Sequence, residues 1–130
     1  MAENSNAELM RRLYQAFGEG DADTLNELIS QDVIWHVPGK SQVSGKYSGR
    51  QQVFGFFERL FELSGGTLKG EVHDVFASGE HGIILDRETA TRGEKELDVH
   101  LALVVHIRDG QITEAWDLVS DQYAWDEFWH

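Results

Sequence analysis

The chain has 130 residues, a formal net charge of −12 and no cysteine. That length is enough for one domain with a sizeable core, and the missing thiols exclude a disulfide framework, thiolate chemistry and Cys-ligated zinc. The acidic balance, with its few basic residues scattered, opposes nucleic acid and anionic membranes as partners, while 41% hydrophobic residues argue against a disordered acidic chain.

In chain order, residues 1–6 are polar and acidic and lack the features of a signal peptide. No apolar run approaches the ~20 residues of a membrane span, so a cytoplasmic location is expected. Leu9, Leu13, Ala16 and Phe17 recur at helical spacing and predict a helix over 7–18, broken by Gly18 and Gly20. Asp21 is a candidate N-cap for a second helix that turns Leu25, Leu28 and Ile29 inward. Residues 32–37 predict a short strand stopped by Pro38-Gly39, and residues 40–47 a loop. Ser48 and Gln51 have the spacing of a capping box ahead of a third helix, which carries Val53, Phe57, Leu60 and Phe61 and ends at Gly65-Gly66.

The period then changes from 3.6 to 2. Strands are expected over 67–78, 82–91, 95–108 and 111–120, with Arg92-Gly93 and Asp109-Gly110 as tight turns. Leu97, Val99, Leu101, Leu103, Val105 and Ile107 share one strand face, which must meet the helices. The opposite face, with His100, Ala102, Val104 and His106, is more apolar than solvent alone favours and suggests a homodimer surface. The expected fold class is α+β, three N-terminal helices packed on a curved, mostly antiparallel sheet.

This order resembles the nuclear transport factor 2-like superfamily, in its SnoaL-like and ketosteroid-isomerase-like branch. The resemblance rests on Leu13-Tyr14-Gln15-Ala16-Phe17 with Gly20-Asp21-Ala22-Asp23, then Asp32-Val33-Ile34-Trp35-His36-Val37-Pro38-Gly39. The Gly45 to Arg50 approach to the third helix and the hairpin from Arg108 to Asp117 complete it. It covers nearly the whole chain and implies one cone-shaped domain over 1–130, an enclosed apolar pocket and a dimer through the outer sheet face. The superfamily hosts several enzyme classes and non-catalytic modules, so the fold leaves the function open.

Within that frame Tyr14 falls where ketosteroid isomerases place an enolate-binding tyrosine, and a core aromatic is the plainer reading. His36 suits a general acid or base, yet alternation sets it opposite Trp35 and Val37 unless a bulge beside Pro38 re-aims it. Asp117 and Asp121 share a face of the last strand, and either His36 or Asp121 would move the proton. Trp116 alternates with Ile112, Glu114 and Leu118, and the resemblance places it in the pocket wall. Arg87 either points inward, needing Asp98, Asp117, Asp121 or a bound anion, or is solvated on an edge.

The expected catalytic set is therefore Tyr14, His36 and Asp121. The expected substrate contacts are Phe17, Trp35, Val37, Phe57, Phe61, Arg87, Leu101 and Trp116. His100 and His106 lie about 20 Å apart at 3.3 Å per residue, and the other histidines lack short ligand spacing, so neither metal nor cofactor is expected. The resemblance sets Val37, and either Ala102 or Leu103, where ketosteroid isomerases carry their two acids, which argues against that activity. The C-terminal Tyr123, Trp125, Phe128 and Trp129 should dock over the pocket mouth or on a dimer partner. The function expected is general acid–base chemistry of isomerase, dehydratase or aldol-cyclase type on a small apolar carbonyl or hydroxyl compound. The alternative is a non-catalytic dimeric module that binds a hydrophobic ligand or a protein.

Overall fold

The apolar face of residues 97–107 becomes the inner surface of a six-stranded sheet. The computed structural model describes residues 2–130. The elements run α1 (Ala2–Glu19), α2 (Ala22–Leu28), β1 (Ile29–Val37), β2 (Gly45–Ser48), α3 (Arg50–Leu63), β3 (Lys69–Ala77), β4 (His81–Arg92), β5 (Lys95–Arg108), β6 (Gln111–Val119) and α4 (Gln122–Trp129). The strand order is β2-β1-β6-β5-β4-β3. Only β1 and β6 pair in parallel; the other neighbours are antiparallel. The fold is α+β, as expected.

Leu97, Val99, Leu101, Leu103, Val105 and Ile107 are all buried. Each is worth about 1.5–3 kcal/mol of apolar burial, and together they dictate which side the helices cover. From α1, Leu9, Met10, Leu13 and Ala16 join this core; Val53, Phe56, Phe57 and Leu60 do so from α3. Asp21 caps α2 by accepting the Thr24 N–H at 3.1 Å.

Three local expectations change. The stretch read as a loop contains β2, whose residues are mostly exposed and carry no alternation to read. It forms because the β1 edge would otherwise leave backbone groups unpaired, and Tyr47 anchors it by donating to the Val43 carbonyl at 2.7 Å. The capping box at Ser48 does not form. Ser48 pairs with Ile34 in the sheet, so the N-cap falls one residue later, on Gly49 at φ 90°, and Gln52 accepts the Ser48 N–H instead.

The third change is in β6. His106 pairs with Glu114 but Ile107 with Ile112, so Thr113 is an extra residue and the alternation reverses there. Ile112 points inward before the bulge; Ala115 and Asp117 do so after it. Ile112 and Trp116 therefore do not share a face.

The aromatic C-terminus folds back as α4 onto β5 of the same chain. Asp121 caps the helix through the Ala124 N–H, and Trp125, Phe128 and Trp129 are buried. Its last carbonyls accept from Arg92, which reaches those of Phe128 and His130 at 3.1 and 2.7 Å, and from Lys95, which reaches Glu127 at 2.9 Å. Cations suit this end of a helix, where the unpaired carbonyls gather.

Trp129→Ala removes a wholly buried ring packed edge-on against Phe128 at 4.7 Å. It should cost about 3–5 kcal/mol, read as a lower urea midpoint at unchanged slope.

Candidate functional site

Between α1, α3, α4 and the inner sheet face lies a cavity of about 290 Å³. Phe17 from α1, Phe57 and Leu60 from α3, Leu101 and Leu103 from β5 and Trp125 from α4 give it an apolar wall. Tyr14, Glu88 and Asp117 also line it, three ionisable groups from three different elements.

Asp117 is buried, and the Trp35 indole N–H donates to its Oδ2 at 3.0 Å. Burial pushes its carboxyl up to about 6, against the opposing pull of that hydrogen bond. Glu88 lies two residues after Asp86 on the same face of β4. It is held well above the usual carboxylate range, by burial first and then by the charges of Asp86 and Asp117. Part of its surface remains open only because it faces the cavity.

Asp86 is 1% exposed, and neither of its oxygens has a hydrogen-bond partner. Burial is the main cause that lifts it to about 7; the nearby Tyr14 hydroxyl opposes this and the Asp117 charge adds to it. Tyr14 is raised well above its ordinary value by burial, then by Glu88, Asp86 and Asp117. The Trp125 indole N–H, in the cavity wall, is a buried donor without a partner.

Of the residues expected from sequence, Tyr14, Phe17, Trp35, Phe57 and Leu101 line the cavity. Phe61 stands behind, packed on Phe17 at 5.0 Å, and Val37 is buried in the core without lining the cavity. The others face elsewhere. His36 lies on the outer sheet face, where it meets Glu114 at 2.7 Å and stacks on Trp116 at 5.2 Å. Regular alternation in β1 puts it there; no bulge beside Pro38 re-aims it. The Thr113 bulge sends Trp116 outward while turning Asp117 in, and Trp125 joins Trp35 in the wall. Asp121 is occupied as the cap of α4. Arg87 is solvated on the outer face in a two-pronged pair with Asp98, at 2.8 and 2.6 Å.

Asp86 and Glu88 are the groups that sequence reasoning missed. Both β4 faces carry aliphatic residues, Ile83 and Leu85 on one and Ile84 on the other, so hydrophobicity alone does not choose between them. Charge does not choose either, since Arg87 stands on one face and Asp86 and Glu88 on the other.

The family model described as SnoaL-like domain matches residues 10–115. Among solved structures, Bal32a from a soil-derived mobile gene cassette is 39% identical, with a TM-score of 0.97 and the whole of both chains covered. A Xanthomonas campestris protein described as having a cystatin-like fold is 32% identical over 94% of this chain and 95% of its own, at a TM-score of 0.88. A Mycobacterium tuberculosis protein, Rv0034, is 29% identical over 99% of both chains.

The raised acids make stability depend on pH. A carboxyl with a folded pKa above its unfolded value stabilises the fold at low pH, and that contribution is lost as pH rises through the folded pKa. For Asp86 the loss spans the range from about 4 to about 7. Asp86→Asn should therefore raise stability at pH 8 by on the order of 2 kcal/mol and change it little at pH 4, measured by urea unfolding at both values. A variant equally or less stable at pH 8 counts against an uncompensated buried acid.

Proposed function

Since the chain belongs to the SnoaL-like family, we propose that it is a small-molecule enzyme that moves protons inside this cavity. The reaction class is isomerisation, dehydration or aldol closure of an apolar carbonyl or hydroxyl compound. One observation carries the reading: a phenol and two carboxyls with raised pKa values line one mostly apolar cavity.

Asp117 is the group for the proton transfer. A pKa of about 6 leaves it largely ionised at neutral pH yet more basic than an ordinary aspartate. The Trp35 N–H occupies Oδ2, which fixes the carboxylate and leaves Oδ1 to take a proton from the carbon beside a carbonyl. Tyr14 remains protonated throughout and donates to the substrate oxygen as charge builds there. The proton on Asp117 then returns to a different atom of the same substrate, which completes an isomerisation. His36 and Asp121 have no part in this scheme.

The outer sheet face supports self-association of two copies. Phe76, Ile83, Leu85 and Leu118 are exposed there, and Val104 lies between Ile83 and Trp116 in register. Val104→Asp should halve the mass seen by light scattering while the circular dichroism stays unchanged. A wild-type protein that is monomeric at micromolar concentration rules the dimer out.

The proton-transfer reading is tested with 2-tetralone in deuterated buffer, following loss of its α-proton signals by NMR. The protein should accelerate exchange over acetate buffer, with a rate that rises through about pH 6. Asp117→Asn should lower the rate by about 10²–10⁴. Exchange no faster than buffer, or untouched by Asp117→Asn, refutes the reading.

A further inference from the structure

The scheme above uses Asp117 and Tyr14 and leaves Asp86 and Glu88 without a task. These two carboxyls sit two residues apart on one face of β4, about 6.6 Å along the strand. Glu88 lines the cavity, and Asp86 borders it beside Gly70, another lining residue: a Cβ added at Gly70 would lie 3.2 Å from Asp86 Oδ2 and 3.4 Å from the Tyr14 ring. The absence of a side chain at Gly70 lets Asp86 and Tyr14 pack directly behind the cavity wall. Asp86 is 1% exposed and both oxygens lack a partner, which is costly for a group able to accept several hydrogen bonds.

Among the described residues no cation compensates them. Lys69 is the basic residue of the cavity wall, and it is exposed and makes no ion pair among the described residues. Arg87, between the two acids in sequence, points to the other face and is held by Asp98. A metal ion does not fit the arrangement: among the described residues no group of three or more His, Asp or Glu side chains is placed to hold one.

We infer that the missing cation is carried by the ligand: the cavity selects a small apolar molecule bearing a basic nitrogen, whose ammonium group seats against Glu88 with the Asp86 carboxyl directly behind it. The inference rests on the same cavity being the working site. An ammonium brings the positive charge that both acids lack and N–H donors for a charge-assisted hydrogen bond to Glu88. The aromatic rings of Phe17 and Trp125 in the cavity wall fit an apolar body, and the Tyr14 ring next to Asp86 favours a cation over a neutral group. An anionic ligand is disfavoured by the same carboxyls. Seating the cation ionises the raised acids, so binding releases protons to solvent.

The test uses three probes with one indole body and different charge: tryptamine, tryptophol and indole-3-acetate, titrated by calorimetry at pH 7.5. Tryptamine should bind at least tenfold tighter than tryptophol, with indole-3-acetate weakest. Its heat should depend on the buffer's ionisation enthalpy in the direction of proton release. Asp86→Asn, and separately Glu88→Gln, should erase the preference for tryptamine over tryptophol. Tryptophol binding as tightly as tryptamine, a preference that survives both substitutions, or no binding of any probe overturns the inference. The two readings fail separately. Lost amine selectivity with Asp117-dependent exchange intact removes only this one, and the reverse pattern removes only the proton-transfer scheme.

Discussion

Six consecutive inward side chains on β5, from Leu97 to Ile107, must leave water, and the rest of the fold follows from covering them. The strand lies well inside the sheet, between β4 and β6, so its inner face can be covered only from the helix side. α1 packs over β3 and β4 and α3 over β1, and α4 returns from the C-terminus onto β5 itself. Helices with Phe17, Phe57 and Leu60 on their inner faces do not fill a curved sheet completely. The space they leave is the cavity.

Into that apolar space the sheet projects acids. Burying a carboxylate without a counter-charge is unfavourable, and the molecule accommodates it in two ways. Asp117 is partly satisfied by the Trp35 indole, which keeps its affinity for protons near neutrality. Asp86 and Glu88 have no such donor among the basic residues, and their environment favours the protonated form. Strain of this kind is tolerated where a fold is otherwise well packed, and the continuous core around β5 supplies that packing. The same desolvation that destabilises the ionised acids makes each of them a stronger base or a stronger partner for a cation.

The two sheet faces divide the titratable groups by kind. Tyr14, Asp86, Glu88 and Asp117 lie on the helix side. His36, His100, His106, Glu114 and the Arg87–Asp98 pair lie on the outer side, where water reaches them. Ion pairs such as Arg87–Asp98 contribute little to stability in that setting. Chemistry at neutral pH is expected from the inner set, because burial raises the proton affinity of its acids.

Much of the architecture was written in local pattern. The 3.6-residue spacing of Leu9, Leu13, Ala16 and Phe17, the glycine breaks and the two-residue alternation of β5 each state which face is apolar, and packing follows that statement. Tyr14, Phe17, Trp35, Phe57 and Leu101 were legible as cavity residues on these grounds. What pattern alone left undecided was parity. On β4 both faces carry aliphatic residues, so the inward turn of Asp86 and Glu88 was fixed by pairing with β5, where Glu88 opposes Val99 and Asp86 opposes Leu101. On β6 the extra residue at Thr113 reverses the alternation, and nothing in the sequence of that strand announces it. A strand's side-chain period is two, so one inserted residue exchanges its faces. That exchange put Asp117 inside and Trp116 outside, a choice made by the register between strands and not by the strand's own residues.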